Sequence, residues 1–186
     1  MATPLLFLIR HPVPDIPPNI CYGQTDVDLL RDPDDDIARL RAELPPLDRV
    51  FSSPLRRCQR LATGLHPHPT LDDRLVEMNF GAWEGQSWDD IPRPEIDLWA
   101  RQVFDFAPPE GESVRQMARR VIEFAAELEQ QQGLNTIAVV SHQGPLRILA
   151  AHFRGEGEST WQSRHFDFAT PLCLPITPNP TLHDPH

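Results

Sequence analysis

Two short apolar runs constrain this chain more than any other feature, because each runs straight into a histidine. Leu5-Leu6-Phe7-Leu8-Ile9 is followed by Arg10-His11, and Thr136-Ile137-Ala138-Val139-Val140 by Ser141-His142. Runs without polar alternation suit strands covered on both faces, as at the centre of a parallel sheet. Helical stripes lie between them. Ile37, Leu40 and Leu44 mark one, with Asp32 expected as its cap and Pro33 at its first position. Ser53-Pro54 is expected to open a second by the same logic, with Leu55, Cys58, Ala62 and Leu65 on its buried face. Ser113 and Gln116 have capping-box spacing ahead of Val114, Met117, Ala118, Val121, Ile122, Ala125 and Leu128, and Gly133 is expected to end that helix. Leu146, Leu149, Ala150 and Phe153 form a fourth stripe. Arg49-Val50-Phe51, Thr70-Leu71 and Leu172 to Ile176 read as further strands. The stretch from Glu77 to Pro109, rich in Trp, Gly and Pro, reads as an excursion with one short helix. Strands alternating with helices predict an α/β fold: a three-layer α/β/α sandwich with a mostly parallel central sheet. One domain is expected over residues 1–174, with an irregular tail over 175–186.

Composition narrows the function classes. The 186 residues carry 27 acids against 17 bases, a formal charge of −10. That balance disfavours nucleic acid as a partner, which needs a positive surface. All the bases are arginine, so a few of them gathered in one pocket still suit a small anion. No apolar run is long enough to span a membrane, and the N-terminus lacks the pattern of a signal peptide. Cys21, Cys58 and Cys173 are too scattered for a disulfide framework or a metal site, so a cytoplasmic protein with reduced thiols is expected. His66 with His68, and His183 with His186, lack partners at ligand spacing. No metal and no cofactor are expected.

If the two histidine-ending strands are parallel neighbours, His11 and His142 emerge at one sheet edge, where ligands bind in such folds. Arg10 lies beside them. Arg57, in the first turn after Ser53-Pro54, adds a guanidinium near a helix N-terminus, a position suited to phosphate oxygens. Without a Walker-type loop or a carboxylate cluster for metal, phosphoryl transfer here needs a side-chain nucleophile or a positioned water. A neutral imidazole is a competent nucleophile.

Four motifs in order carry a family resemblance: Leu8-Ile9-Arg10-His11, Ser52-Ser53-Pro54-Leu55-Arg56-Arg57, Leu75 to Gly85 (LVEMNFGAWEG), and Val140-Ser141-His142-Gln143-Gly144. Over residues 5–153 the chain resembles the histidine phosphatase superfamily, the branch that includes cofactor-dependent phosphoglycerate mutase. The resemblance implies a phosphoglycerate mutase-like fold and a metal-independent phosphomonoesterase. It implies His11 as the phosphorylated nucleophile, Arg10 and Arg57 as clamps on the phosphoryl group, and His142 as the second histidine on that group. It also implies a backbone donor at Gln143 and Glu77 as proton donor and then base, with Glu84 the nearby competitor. Cys21-Tyr22-Gly23-Gln24-Thr25-Asp26-Val27 is similar to alpha-ribazole phosphatases, which act late in building the lower ligand of cobalamin. It nominates Tyr22, Gly23, Gln24 and Thr25 for substrate binding. The implied partner is a small-molecule phosphate ester, with the protein a monomer or homodimer.

Two positions depart from the family pattern. Pro12 stands where Gly is usual, and Pro17 where an Asn often contacts phosphate, leaving Asn19, Gln24 or Thr25 as substitutes. The alternatives carried forward are a phosphoglycerate mutase-type isomerase, dependent on a bisphosphate primer, and a regulatory phospho-binding or phosphoprotein phosphatase module. Trp83, Trp88, Trp99 and Trp161 are expected to pack loops, with Trp83, nearest Glu77 in sequence, the one to watch for substrate contact. Asp26-Val27-Asp28 does not follow a buried strand and is not read as an aspartyl nucleophile. Asp34-Asp35-Asp36 fits the negative-charge preference of a helix start. Cys21 is read as a packing or loop residue.

Overall fold

The computed structural model describes residues 3–177. Five strands form one sheet: β1 (Leu5–Arg10), β2 (Arg49–Ser52), β3 (Thr70–Leu71), β4 (Thr136–Ser141) and β5 (Pro171–Pro175), in the order β3-β2-β4-β1-β5. All neighbours are parallel except β5, which returns antiparallel along β1. The helices are α1 (Asp34–Glu43), α2 (Arg56–Leu65), α3 (Arg93–Arg101), α4 (Val114–Glu129) and α5 (Gln143–Arg154).

The alternation of side chains along a strand divides the core in two. Phe7, Ile9, Val50, Ala138 and Val140 face α1 and α2, packing on Leu40, Cys58, Leu61 and Ala62. Leu6, Leu8, Phe51, Ile137 and Val139 face α4 and α5, packing on Val121, Phe124, Leu146 and Leu149. The middles of the central strands are therefore apolar on both faces, and the three-layer, mostly parallel sandwich follows.

Helix starts differ from expectation at two places. Pro33 itself holds the cap position of α1, with no side-chain cap, because Asp32 is drawn instead to Arg60 of α2. The three aspartates that follow occupy the first turn of α1. Leu55 holds the cap position of α2, two residues after the expected cap Ser53. The Ser53 hydroxyl accepts from Leu55 N (3.3 Å) but is also committed to His142. The Ser113–Gln116 capping box forms on α4, with Ser113 N donating to Gln116 Oε1 (2.7 Å). That helix stops at Glu129, and Gly133 takes its left-handed backbone (φ 77°) in the connection to β4. Pro175 closes β5 and Ile176 is buried. Residues 178–186, including His183 and His186, lie outside the described residues.

The excursion between β3 and α4 holds α3 and two single 3₁₀ turns, Asp73–Leu75 and Gly81–Trp83. It has its own aromatic core. Trp83 is buried and donates from Nε1 to Glu95 (2.8 Å), with Trp88, Trp99 and Phe106 packed around it. Among the described residues, no helix is long and apolar enough to cross a membrane.

Candidate active site

The parallel register converts sequence spacing into proximity. Arg10 of β1 is level with Ser141 of β4, and Ser52 of β2 with Val140. The ladder continues one residue further, with His11 N donating to Ser141 O and Ser53 N to Val140 O (both 3.0 Å). His11, His142 and Ser53 therefore leave the carboxyl edge together. The two imidazole rings lie 5.1 Å apart.

The surroundings of His11 fix its proton. Nδ1 lies 2.7 Å from the carbonyl oxygen of Pro12, which can only accept, so Nδ1 carries the hydrogen and the lone pair sits on Nε2. His11 is 1 % exposed. Burial, reinforced by the positive charges of Arg57 and Arg10, lowers its pKa from 6.5 to about 3. The ring is neutral at physiological pH.

Arg57 is wholly buried and spans the site. Its Nε donates to His142 Nδ1 (3.3 Å), and its two Nη atoms donate to Thr25 O (2.8 Å) and Gly23 O (2.6 Å). Since His142 Nδ1 accepts, Nε2 carries that ring's hydrogen and donates to Ser53 Oγ (2.8 Å). Burial, then the charges of His11, Arg57 and Arg10, push the His142 pKa well below its ordinary value. Cys58 Sγ packs 3.4 Å from His142 Nε2, and burial raises its thiol pKa.

Arg10 is held by Gln143 Oε1 (3.2 Å) and the Phe166 carbonyl (3.1 Å), with its guanidinium 3.9 Å above the Phe168 ring. Its Nε is buried and finds no acceptor among the described residues. Phe168 also packs on His11, 5.5 Å between centroids. The Gln143 side chain fastens the 164–166 segment, accepting from Phe166 N and donating to Arg164 O (both 3.1 Å). Its backbone N–H stands at the start of α5.

Glu77 arrives from the excursion. Its carboxylate accepts from Met78 N (2.9 Å) and from Gly144 N in the first turn of α5 (3.2 and 3.3 Å). It borders two cavities. One of about 630 Å³ is lined by Arg10, Tyr22, Gly23, Trp88, Phe168 and a proline-rich wall that includes Pro17. The other, about 600 Å³, lies between α3, α4 and α5. Glu84, the competitor, is spent on the loop: it accepts from Gln24 N, Thr25 N, Thr25 Oγ1 and Phe80 N at 2.6–3.0 Å.

Of the nominated substrate-binding residues, Tyr22 and Gly23 line the first cavity. The Tyr22 ring also lies 5.2 Å from the Arg57 guanidinium. Gln24 and Thr25 do not line it. Gln24 donates from Nε2 to Glu77 O (2.9 Å), and the donors of Thr25 are taken by Glu84. They build the loop rather than face a ligand. Asn19 donates to Ser87 Oγ (3.2 Å) and does not line the first cavity. Trp83 packs inside the excursion, whereas Trp88 reaches the first cavity and Trp99 and Trp161 the second. Cys21 is buried beside Trp83, its thiol pKa raised to about 12 by burial and by Glu84.

Three further contributors are not among the residues nominated for the site. Phe168 reaches the site from the segment before β5. Ser53 turns out to hold His142. Arg120 of α4 donates to the carbonyls of Arg74 and Val76 (both 2.7 Å) and of Glu77 (3.0 Å), and pairs with Glu112 (2.7 Å). It holds the segment that carries Glu77. No group of three or more metal-ligating side chains occurs among the described residues.

A profile described as the histidine phosphatase superfamily (branch 1) matches residues 6–179. An adenosylcobalamin/alpha-ribazole phosphatase of Escherichia coli is 31% identical over 125 residues, 63% of this chain and 62% of that protein. Phosphoserine phosphatase 1 of Hydrogenobacter thermophilus is 29% identical over 175 residues, covering 89% and 83%. A bifunctional protein of Mycobacterium tuberculosis is 30% identical over 127 residues; the match takes in 67% of this chain but only 34% of that longer protein. Among solved structures, a candidate alpha-ribazole-5'-P phosphatase from Escherichia coli superposes with a TM-score of 0.84 at 25% identity, covering 92% of this chain and 90% of that one.

Proposed function

The chain belongs to the histidine phosphatase superfamily (branch 1), and on that premise we propose that it hydrolyses a small phosphate monoester through a phosphohistidine at His11, without metal. The observation that carries this reading is the neutral His11 ring, its proton pinned on Nδ1 by Pro12 O and its Nε2 free, between two arginines and a second imidazole.

In the first step His11 Nε2 attacks phosphorus in line. The bond from phosphorus to the ester oxygen breaks, and Glu77 protonates the leaving alkoxide. Arg10, with its unsatisfied Nε–H, and the free N–H groups of Arg57 neutralise the charge on the transferred group. His142 turns its Nε2–H from Ser53 to that group, and the Gln143 N–H adds a donor. In the second step water, deprotonated by Glu77, attacks phosphorus and the P–N bond breaks. Pro12 in place of Gly costs no contact that this scheme uses, because its carbonyl alone is needed.

Alpha-ribazole phosphate is the first substrate to try, on the strength of the 21–27 segment and the Escherichia coli relative. Phosphoserine follows, on the Hydrogenobacter relative. The expected result is turnover of a generic phosphate ester in the presence of chelator, abolished by His11→Ala, with phosphate trapped on His11 by acid-free quench and mass spectrometry. Undiminished turnover in His11→Ala would reject the mechanism. A requirement for a bisphosphate primer would reassign the chain to mutase chemistry.

A further inference from the structure

The second cavity is built unlike the first. Its wall is mostly apolar and aromatic, with Phe80, Ile96, Trp99, Met117, Ile148 and Trp161 facing about 600 Å³, room for a drug-sized group. Only two charged residues line it, Glu77 at the catalytic end and Arg147 on α5. Arg147 lies one helical turn beyond Gln143, so it shares a face with the residue that opens α5. Its Nε donates to the Arg164 carbonyl (2.6 Å), which fixes the guanidinium plane.

The Nη end has no such commitment. Among the described residues, no carboxylate comes within ion-pair distance of Arg147, and the carboxylate facing it across the cavity, Glu77, is engaged by Met78 N and Gly144 N. Arg147 is half-buried, and burial disfavours its charged form. A guanidinium nevertheless stays charged in proteins. A half-buried cation held in orientation, with its fork open, is set up for a planar two-oxygen anion.

Resting on the phosphatase reading above, we infer that the leaving group of the substrate extends past Glu77 into this second cavity, and that it carries an apolar or aromatic body ending in a second anion, a carboxylate or phosphate, paired with Arg147. The cavity then does two jobs. Its aromatic walls desolvate the body of the leaving group, and Arg147 selects its far end. A neutral nucleoside ester such as alpha-ribazole phosphate would leave this cation without a counter-ion, so the inference ranks anionic esters above it.

The test compares phenyl phosphate with meta- and para-carboxyphenyl phosphate, taking the ratio of kcat/KM values within each protein. Comparing ratios between proteins cancels the intrinsic reactivity of the esters. The native protein is expected to favour at least one carboxylated ester over phenyl phosphate by a ratio about ten- to a hundredfold larger than in Arg147→Met, the range for one charge-assisted pair. Arg147→Lys, which keeps the charge but not the fork, should recover part of that difference. Equal ratios in the native protein and Arg147→Met, or an Arg147→Lys ratio no different from Arg147→Met, would overturn the inference. Phenyl phosphate turnover that depends on His11 reports separately on the phosphatase reading. If no ester is turned over, that reading falls and this one with it.

Discussion

Gly144 shows how narrowly one position is set. A Cβ added there would stand 2.4 Å from Glu77 Oε1 and 3.0 Å from the Met117 side chain. Alanine is a good helix residue, so the helix itself has no objection to it. The hard collision is with the carboxylate, and the flexible end of Met117 has to give by a few tenths of an ångström. Gly144→Ala is expected to lower kcat by roughly ten- to a hundredfold, part of what a general acid supplies, with little change in melting temperature. Steady-state kinetics beside a thermal melt separates the two. An unchanged kcat would mean that Glu77 is not held where the chemistry needs it. Ser53→Ala probes the opposite edge. It removes the acceptor of His142 Nε2 and should cost on the order of 1–2 kcal/mol in denaturant unfolding, the usual penalty for an unsatisfied buried donor.

At the scale of elements, Arg120 makes several of the bonds that tie the excursion to the sandwich. Truncating it removes a donor from three carbonyls and from Glu112, although the Glu77 carbonyl keeps Gln24 Nε2 and the Glu112 carboxylate keeps Asn79 N. Arg120→Met should destabilise by about 2–3 kcal/mol, given the strength of hydrogen bonds from a charged donor. It should also reduce kcat more than it raises KM, because Glu77 would wander while the first cavity keeps its walls. A KM-only effect would leave Arg120 a packing residue. This element also marks what the sequence could disclose. The apolar runs and the capping box are local patterns with one physical meaning, so the sheet, α4 and the shared edge of His11 and His142 were readable. The caps of α1 and α2 were not, because Asp32 and Ser53 found stronger calls on their oxygens in Arg60 and His142. Arg120 was invisible for a different reason. Three of its four acceptors are backbone carbonyls, which leave no residue type to notice. That Gln24 and Thr25 turn to Glu77 and Glu84 was not legible, because a motif gives identities and not the direction in which a loop presents them.

Two neutral imidazoles buried at one sheet edge shape the pH response of the whole molecule. An unfolded histidine titrates near 6.5, while His11 in the fold titrates at about 3 and His142 well below its ordinary value. Between those limits the unfolded chain binds more protons than the folded one, so stability rises with pH across the window and levels off above about 6.5. Read the other way, protection present at neutral pH is lost as pH falls from 6.5 towards 3. For His11 alone the shift corresponds to about 4–5 kcal/mol over the full window. Urea unfolding at several pH values between 4 and 7 should show this slope, and His11→Asn should flatten it. A slope unaffected by that substitution would place the acid sensitivity outside His11, in His142 or the carboxylates.

The antiparallel return of β5 has a consequence for biosynthesis. Because it runs back along β1, the segment just before it lays Phe166 and Phe168 against Arg10 and His11. Within this sheet β1 is made first, and it waits for the segment after α5 before Arg10 and His11 are enclosed. A nascent polypeptide halted near residue 160 would hold both imidazoles on a nearly finished sheet, with Arg10 lacking its aromatic floor. On the proposed mechanism, competence to process an ester should therefore arrive only once residues 166–168 have been made.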